Sequence, residues 1–134
     1  MSAKILIVPW DNDYYWKLLE NFVKSWGFTS ISLDTPVDGM QLNNIAIACQ
    51  EYRPNILITY LYDWVPNEAY GFGHRLCDML RSNPKTQDIG LVYFFIRDDV
   101  IRDFRGPLPC HADVYMSLPI NWEELEQKLQ DLVG

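Results

Sequence analysis

The stretch "RPNILITY", residues 53 to 60, decides the fold. Pro54 ends any helix that reaches it, because its ring lacks an N–H donor and crowds the residue before it. Asn55 to Tyr60 then reads as a short apolar strand that runs directly into an aromatic loop, "LYDW" (61–64). In an α/β protein the tip of such a strand borders the functional crevice. Here that tip carries Tyr60, where a reacting carboxylate would be expected.

Upstream, "KILIVP" (4–9) is a continuous apolar run without alternation, the pattern of a strand covered on both faces. Asp11 or Asn12 can cap a helix whose apolar residues Tyr15, Leu18, Leu19, Phe22, Val23 and Trp26 recur at three and four, with Gly27 ending it. "FTSISL" (28–33) alternates, as an edge or half-covered strand does. A second helix starts at "DTP" (34–36) and runs to about Arg53, with Leu42, Ile45, Cys49 and Tyr52 on its buried face.

Downstream, Leu61 to Phe72 holds Pro66, Gly71 and four aromatics, and reads as a long loop. From Gly73 a helix has Leu76, Met79 and Leu80 on one face and stops at Pro84. "GLVYFFI" (90–96) is another fully apolar strand, followed by a short charged fourth helix in "RDDVIRDFRGPLP" (97–109) that Gly106, Pro107 and Pro109 end. "ADVYMS" (112–117) is the fifth strand, and "NWEELEQKLQDLV" (121–133) a fifth, amphipathic helix capped by Asn121 with acids in its first turn.

Five β-α units predict an α/β domain spanning residues 1–134: a three-layer, doubly wound, five-stranded parallel sheet with right-handed crossovers. Function is expected beyond the carboxyl ends of the strands, at Pro9 to Asp13, Asp34 to Pro36, Tyr60 to Trp64, Ile96 to Asp98 and Ser117 to Pro119.

Composition narrows the function classes. The 134 residues are 49% hydrophobic and 22% charged, as in ordinary soluble domains, but 14% are aromatic, a share that needs a purpose. Net charge is −7 and the 11 basic residues are scattered, so no stripe exists to neutralise a phosphate backbone and nucleic-acid binding is not expected. No apolar run approaches the ~18 residues of a membrane span, which predicts a cytoplasmic protein with no membrane partner. Cys49, Cys77 and Cys110 lack any framework spacing and are read as reduced thiols.

Over essentially its whole length the chain resembles the CheY-like receiver domain of response regulators. "AKILIV" looks like that family's first strand, "RPNILITY" its third, and "GFGHRLCDMLRSNPKTQDIGLVYF" its third helix and fourth strand. "HADVYMSLPINWEELEQKLQDLV" is similar to the family's fifth strand, proline turn and final helix. The resemblance implies the (βα)5 flavodoxin-like receiver fold and a phosphorylation switch. In that switch a carboxylate ending the third strand attacks phosphorus, and acids after the first strand hold magnesium. A lysine and a hydroxyl contact the phosphoryl group, and an aromatic on the fifth strand rotates behind them.

Carried onto this chain, the attacking position is Tyr60 and the acid pair falls on Pro9 and Trp10, with Asp11 next to them. The hydroxyl position is Phe95, or Ile96 one residue on; the lysine, just before Pro119, is Leu118. Only the rotating aromatic remains, as Tyr115. Proline and tryptophan cannot hold magnesium, and a phosphoryl group would meet no cation. These positions read as a degenerate site in a pseudo-receiver: not an enzyme, without metal or cofactor, acting through a signalling or regulatory protein partner.

Other readings compete with this one. Asp11, Asp13 and Asp63 lie slightly beyond their strand tips and could gather around a cation in a displaced acidic site or a flavodoxin-like ligand binder; Asp11 is equally a helix cap. His74 and Cys77 with Cys110 and His111 reach the ligand number of a zinc site but lack knuckle spacing, and buried thiols with exposed imidazoles explain them as well. Gly71 and Gly73 read as turn formers rather than a phosphate cradle. Tyr62, Trp64, Tyr70 and Phe72 are either local core or a partner-binding patch. A homodimer through the fourth-helix/fifth-helix face is the self-contact that the resemblance suggests.

Overall fold

The computed structural model describes residues 3–8, 14–33, 42–60, 72–95, 112–117 and 120–133. The strands are β1 (Lys4–Ile7), β2 (Thr29–Ser32), β3 (Ile56–Tyr60), β4 (Gly90–Phe95) and β5 (Val114–Ser117). The helices are α1 (Tyr14–Ser25), α2 (Leu42–Tyr52), α3 (Phe72–Arg81) and α4 (Trp122–Val133). The charged helix expected within 97–109 lies outside the described residues, so α4 is the helix predicted as the fifth. No helix among the described residues is long and apolar enough to cross a membrane.

All strand pairs are parallel, in the order β2-β1-β3-β4-β5. This is the five-stranded, doubly wound sheet that the β-α alternation predicts. Because the chain leaves β1 toward β2 and returns to β3 on the other side, the topological switch lies between β1 and β3.

Strand parity sorts the core into two layers. Ile5, Ile7, Ile56, Ile58, Val92 and Phe94 point to one face, where Trp16, Leu19 and Val23 of α1 and Leu125 and Leu129 of α4 cover them. Leu6, Val8, Leu57, Leu91 and Tyr93 point to the other, under Ile45 and Cys49 of α2 and Leu76, Cys77 and Leu80 of α3. Most are wholly inaccessible, and each fully buried aliphatic side chain contributes about 1.5–3 kcal/mol. The unalternating sequences of β1, β3 and β4 follow from this double cover.

Helix ends use local chemistry. Gly27 has φ +95°, and the Gly27 and Phe28 N–H groups donate to the carbonyls of Lys24 and Val23 at 3.1 and 3.0 Å. That is a Schellman stop, closed by the buried Phe28 and Val23 side chains. Asn121 caps α4, its Oδ1 accepting from the Glu124 N–H at 3.1 Å, while Ile120 and Leu125 form an apolar staple across the cap. α2 ends differently: Arg53 takes φ +53°, left-handed without a glycine, before Pro54 turns the chain into β3.

At the amino edge of the sheet, polar side chains tie elements distant in sequence. Arg81 Nη1 donates to the carbonyls of Gln87 and Ile89 at 2.8 and 2.6 Å, and Nη2 pairs with Asp113 Oδ2 at 3.0 Å. The same carboxylate accepts from the Leu91 N–H at 2.8 Å, so one ion pair joins α3, β4 and β5. Thr86, also buried, donates to the Leu80 carbonyl at 2.8 Å and closes the last turn of α3.

The burial pattern corrects two sequence expectations. In α1 the fully packed residues are Trp16, Leu19 and Val23, whereas Leu18, Phe22 and Trp26 are only half-buried. The apolar arc of α1 is wider than the stripe the sheet can cover. In α3, Cys77 is buried and Met79 half-exposed, a rotation of the expected face by one position.

Candidate functional site

The crevice at the switch point is framed by the carboxyl ends of β1, β3, β4 and β5. Backbone pairing sets their levels: Ile7 lies beside Ile58, Thr59 beside Tyr93, Tyr60 beside Phe94, and Phe95 beside Ser117. The Val8 N–H continues the β1–β3 ladder to the Ile58 carbonyl at 2.9 Å. Tyr60 and Phe95 are therefore the last residues of their strands, at the positions where the sequence placed the nucleophile and hydroxyl equivalents.

Directly beneath these tips runs a row of side chains on the α2/α3 face: Val8, Thr59, Tyr93 and Tyr115. Thr59 and Tyr93 have no exposed surface, and Val8 has 1%. Thr59 Oγ1 donates to the Val8 carbonyl at 3.3 Å, a long bond that bridges β1 and β3 at the switch itself. Tyr115 is half-buried, and its ring centroid lies 6.1 Å from that of Tyr93 at 58°, a tilted aromatic pair. Among the described residues this row is buried apart from Tyr115 and holds hydroxyls but no carboxylate or cation.

Neither Thr59 nor Tyr93 stands out in the sequence as a site residue. Each sits inside an apolar strand, and only the cross-strand register shows that they align with Tyr115 in one row.

Most of the remaining candidates lie outside the described residues: Pro9, Trp10, Asp11, Asp13, Tyr62, Asp63, Trp64, Tyr70, Ile96, Cys110, His111 and Leu118. Phe72 and His74 are placed as backbone positions in the first turn of α3. Among the described residues no group of three His, Cys, Asp or Glu side chains is arranged to hold a metal. Cys77 is buried in the second core, and burial pushes the Cys49 thiol up to about 12, so at neutral pH Cys49 is a protonated packing residue.

With this geometry in hand, comparison with solved structures is decisive for the fold. A candidate response regulator from Chloroflexus aurantiacus J-10-fl superposes with a TM-score of 0.75, covering 99% of this chain and 98% of its own at 19% identity. The fold is that of a receiver domain. Two further receiver domains agree. That of sensor histidine kinase PA1611 from Pseudomonas aeruginosa PAO1 has a TM-score of 0.72 at 19% identity over 100% of this chain and 99% of its own. That of the CheY-like domain from Methylobacillus flagellatus has 0.72 at 19% identity over 98% and 99%. The Pseudomonas structure has magnesium coordinated in its active-site cleft. No protein-family model matches this chain, and no curated protein matches it. At 19% identity these likenesses establish the shared architecture.

Proposed function

We propose that this chain is a pseudo-receiver: a single cytoplasmic domain of a two-component-type signalling or regulatory system that acts by protein contact and accepts no phosphoryl group. The observation that carries this reading is the chemistry at the strand tips. β3 ends on Tyr60 and β4 on Phe95, and the sequence resemblance aligns Pro9, Trp10 and Leu118 with the family's magnesium-binding acids and phosphate-binding lysine. A phenol in place of the carboxylate cannot form an acyl phosphate. With the acid-pair positions falling on Pro9 and Trp10 and the lysine position on Leu118, this reading leaves the transferring phosphoryl group without the magnesium and ammonium that would offset its charge.

In this proposal Tyr62, Trp64, Tyr70 and Phe72 supply aromatic side chains for partner binding. Tyr115, at the rim of the hydroxyl row, supplies whatever conformational response remains, set by a partner's differential affinity for two states rather than by phosphate. The test is incubation with acetyl phosphate and magnesium, followed by intact-mass measurement. The expected result is unmodified protein. A stoichiometric gain of one phosphoryl group overturns the proposal, and a saturable magnesium response lost in Asp63→Asn would support a displaced site built on Asp11, Asp13 and Asp63 instead.

A further inference from the structure

Among the described residues β2 is an edge strand, paired with β1 on one side only. The Thr29 and Leu33 N–H groups each donate at 3.0 Å, to the Ala3 and Ile7 carbonyls, so Thr29, Ile31 and Leu33 turn their backbone groups toward β1. By alternation, the N–H and C=O groups of Ser30 and Ser32 point out of the sheet, with no backbone partner among the described residues. Charged residues and proline commonly blunt such an edge, and the sequence of β2, Thr-Ser-Ile-Ser, has neither. β2 is also the only described strand without a buried residue. Ile31, beside Leu6 and so on the α2/α3 side of the sheet, is 41% exposed.

The α1 side of the same edge is basic. Glu20 reaches from α1 to β2 and accepts from the Ser32 hydroxyl, which identifies the flank of α1 that overlooks the edge. Lys17 and Lys24 lie on that flank, one turn before Glu20 and one turn after it, and both are exposed. They stand about 10 Å apart along the helix axis, roughly three residues of extended chain. With Glu20 engaged by Ser32, these two ammonium groups are the charges that the ridge offers outward.

We propose that β2 accepts a sixth strand from a partner protein, an extended segment in which acidic and apolar residues alternate. Ser30 and Ser32 supply the backbone ladder. Side chains of an added strand point alternately to the two faces of the sheet, so its acids meet Lys17 and Lys24 while the apolar residues between them cover Ile31. The same charge pattern selects against a second copy of this chain. Two β2 edges joined antiparallel would set both lysine ridges on one side of the sheet, facing each other, and β2 itself carries no acid. The edge is separate from the tips of β3 and β4, so this binding holds whether or not the domain accepts phosphate.

The probe is a short fluorescein-labelled peptide of alternating glutamate and valine, titrated with the full chain and followed by anisotropy and by amide exchange in NMR. The expected result is saturable binding that salt weakens, with exchange slowed at the Ser30 and Ser32 amides and unchanged at Ile31 and Leu33, which already bond β1. Lys17→Glu with Lys24→Glu should weaken binding roughly tenfold or more, as expected for two reversed charge pairs, with the urea midpoint near that of wild type. A peptide N-methylated at alternate residues, on the edge that faces β2, should lose binding to a similar extent. That loss leaves the protein unaltered and so cannot come from misfolding. The absence of saturable binding at millimolar peptide overturns the proposal, as does binding that leaves the Ser30 and Ser32 amides unprotected, or equal binding of a peptide with lysine in place of glutamate. Protection of these amides that rises with protein concentration alone also overturns it, because the occupant would then be a second copy.

Discussion

The two faces of the sheet are built from different chemistry. Under α1 and α4 the described core is aliphatic and aromatic, and its buried polar side-chain groups are the indole N–H of Trp16 and, on β2 beside Ile5, the hydroxyl of Ser30. Under α2 and α3 the core contains Cys49, Cys77 and Tyr93, with Tyr52 and Tyr115 packed at its margin and Thr59 fully buried at the switch point. Among the described residues the first core holds no thiol or phenol, and its aromatic edge, Phe22, Trp26 and Trp122, is half-exposed. The second buries its polar groups, and they lead up to the crevice. Perturbations that act on thiol or phenol protonation should therefore register on the α2/α3 face and leave the α1/α4 core indifferent.

The largest test of that asymmetry is alkali. The folded-state Cys49 pKa is raised by burial to about 12 from an ordinary value of 9.0, and that of Tyr52 is raised by the same cause. A raised pKa means the folded state keeps a proton that the unfolded chain has already released. The associated stability is complete below about pH 9, declines above it and is exhausted near 12. At ~1.4 kcal/mol per pH unit, Cys49 alone accounts for a loss of about 4 kcal/mol by pH 12. Urea midpoints measured from pH 8 to 11 should fall accordingly, and Cys49→Ala should flatten the slope after a modest cost at neutral pH. A wild-type profile that stays level to pH 11 would mean that Cys49 is not sealed from solvent, and the contrast between the faces would collapse.

A smaller effect is expected from Thr59→Val. The substitution keeps the shape and removes a hydroxyl whose only described bond is a long one, 3.3 Å to the Val8 carbonyl. The lost bond and the relieved burial of a polar group nearly cancel, so the urea midpoint should move by no more than about 1 kcal/mol in either direction. A loss well above 2 kcal/mol would show that this hydroxyl anchors β1 to β3, making the row beneath the crevice structural in the first place.

What the sequence disclosed follows the range of the interactions involved. β1, β3 and β4 are legible because a strand covered on both faces must be apolar throughout, and Gly27 and Asn121 announce helix ends because those ends need left-handed backbone or a side-chain acceptor. The position of Tyr60 at the end of β3 was legible for the same local reason. Trp16 was not, since an apolar arc broader than the core stripe does not say which of its edges goes inside. Nor was the Arg81–Asp113 pair, whose members are 32 residues apart and meet only once β4 and β5 are in register. Arg53 is a third case: Pro54 predicts the end of α2, but no glycine marks the left-handed turn that Arg53 makes to reach it.

The smallest effect concerns Tyr52, at the margin of the α2/α3 core. Its backbone carbonyl accepts from Lys4 Nζ at 2.9 Å, and the same ammonium sits 5.0 Å from the ring centroid. Its hydroxyl is buried with no hydrogen-bond partner. An unsatisfied buried hydroxyl costs free energy, while the carbonyl bond and the cation–π contact do not depend on it. Tyr52→Phe should therefore stabilise the protein, by up to about 1 kcal/mol in urea unfolding, and should remove the part of the alkaline decline that begins near pH 10. A variant no more stable than wild type would mean that the phenol has a favourable interaction that offsets its burial. Tyr52 would then join Thr59, Tyr93 and Tyr115 as a polar group kept on this face for a reason other than packing.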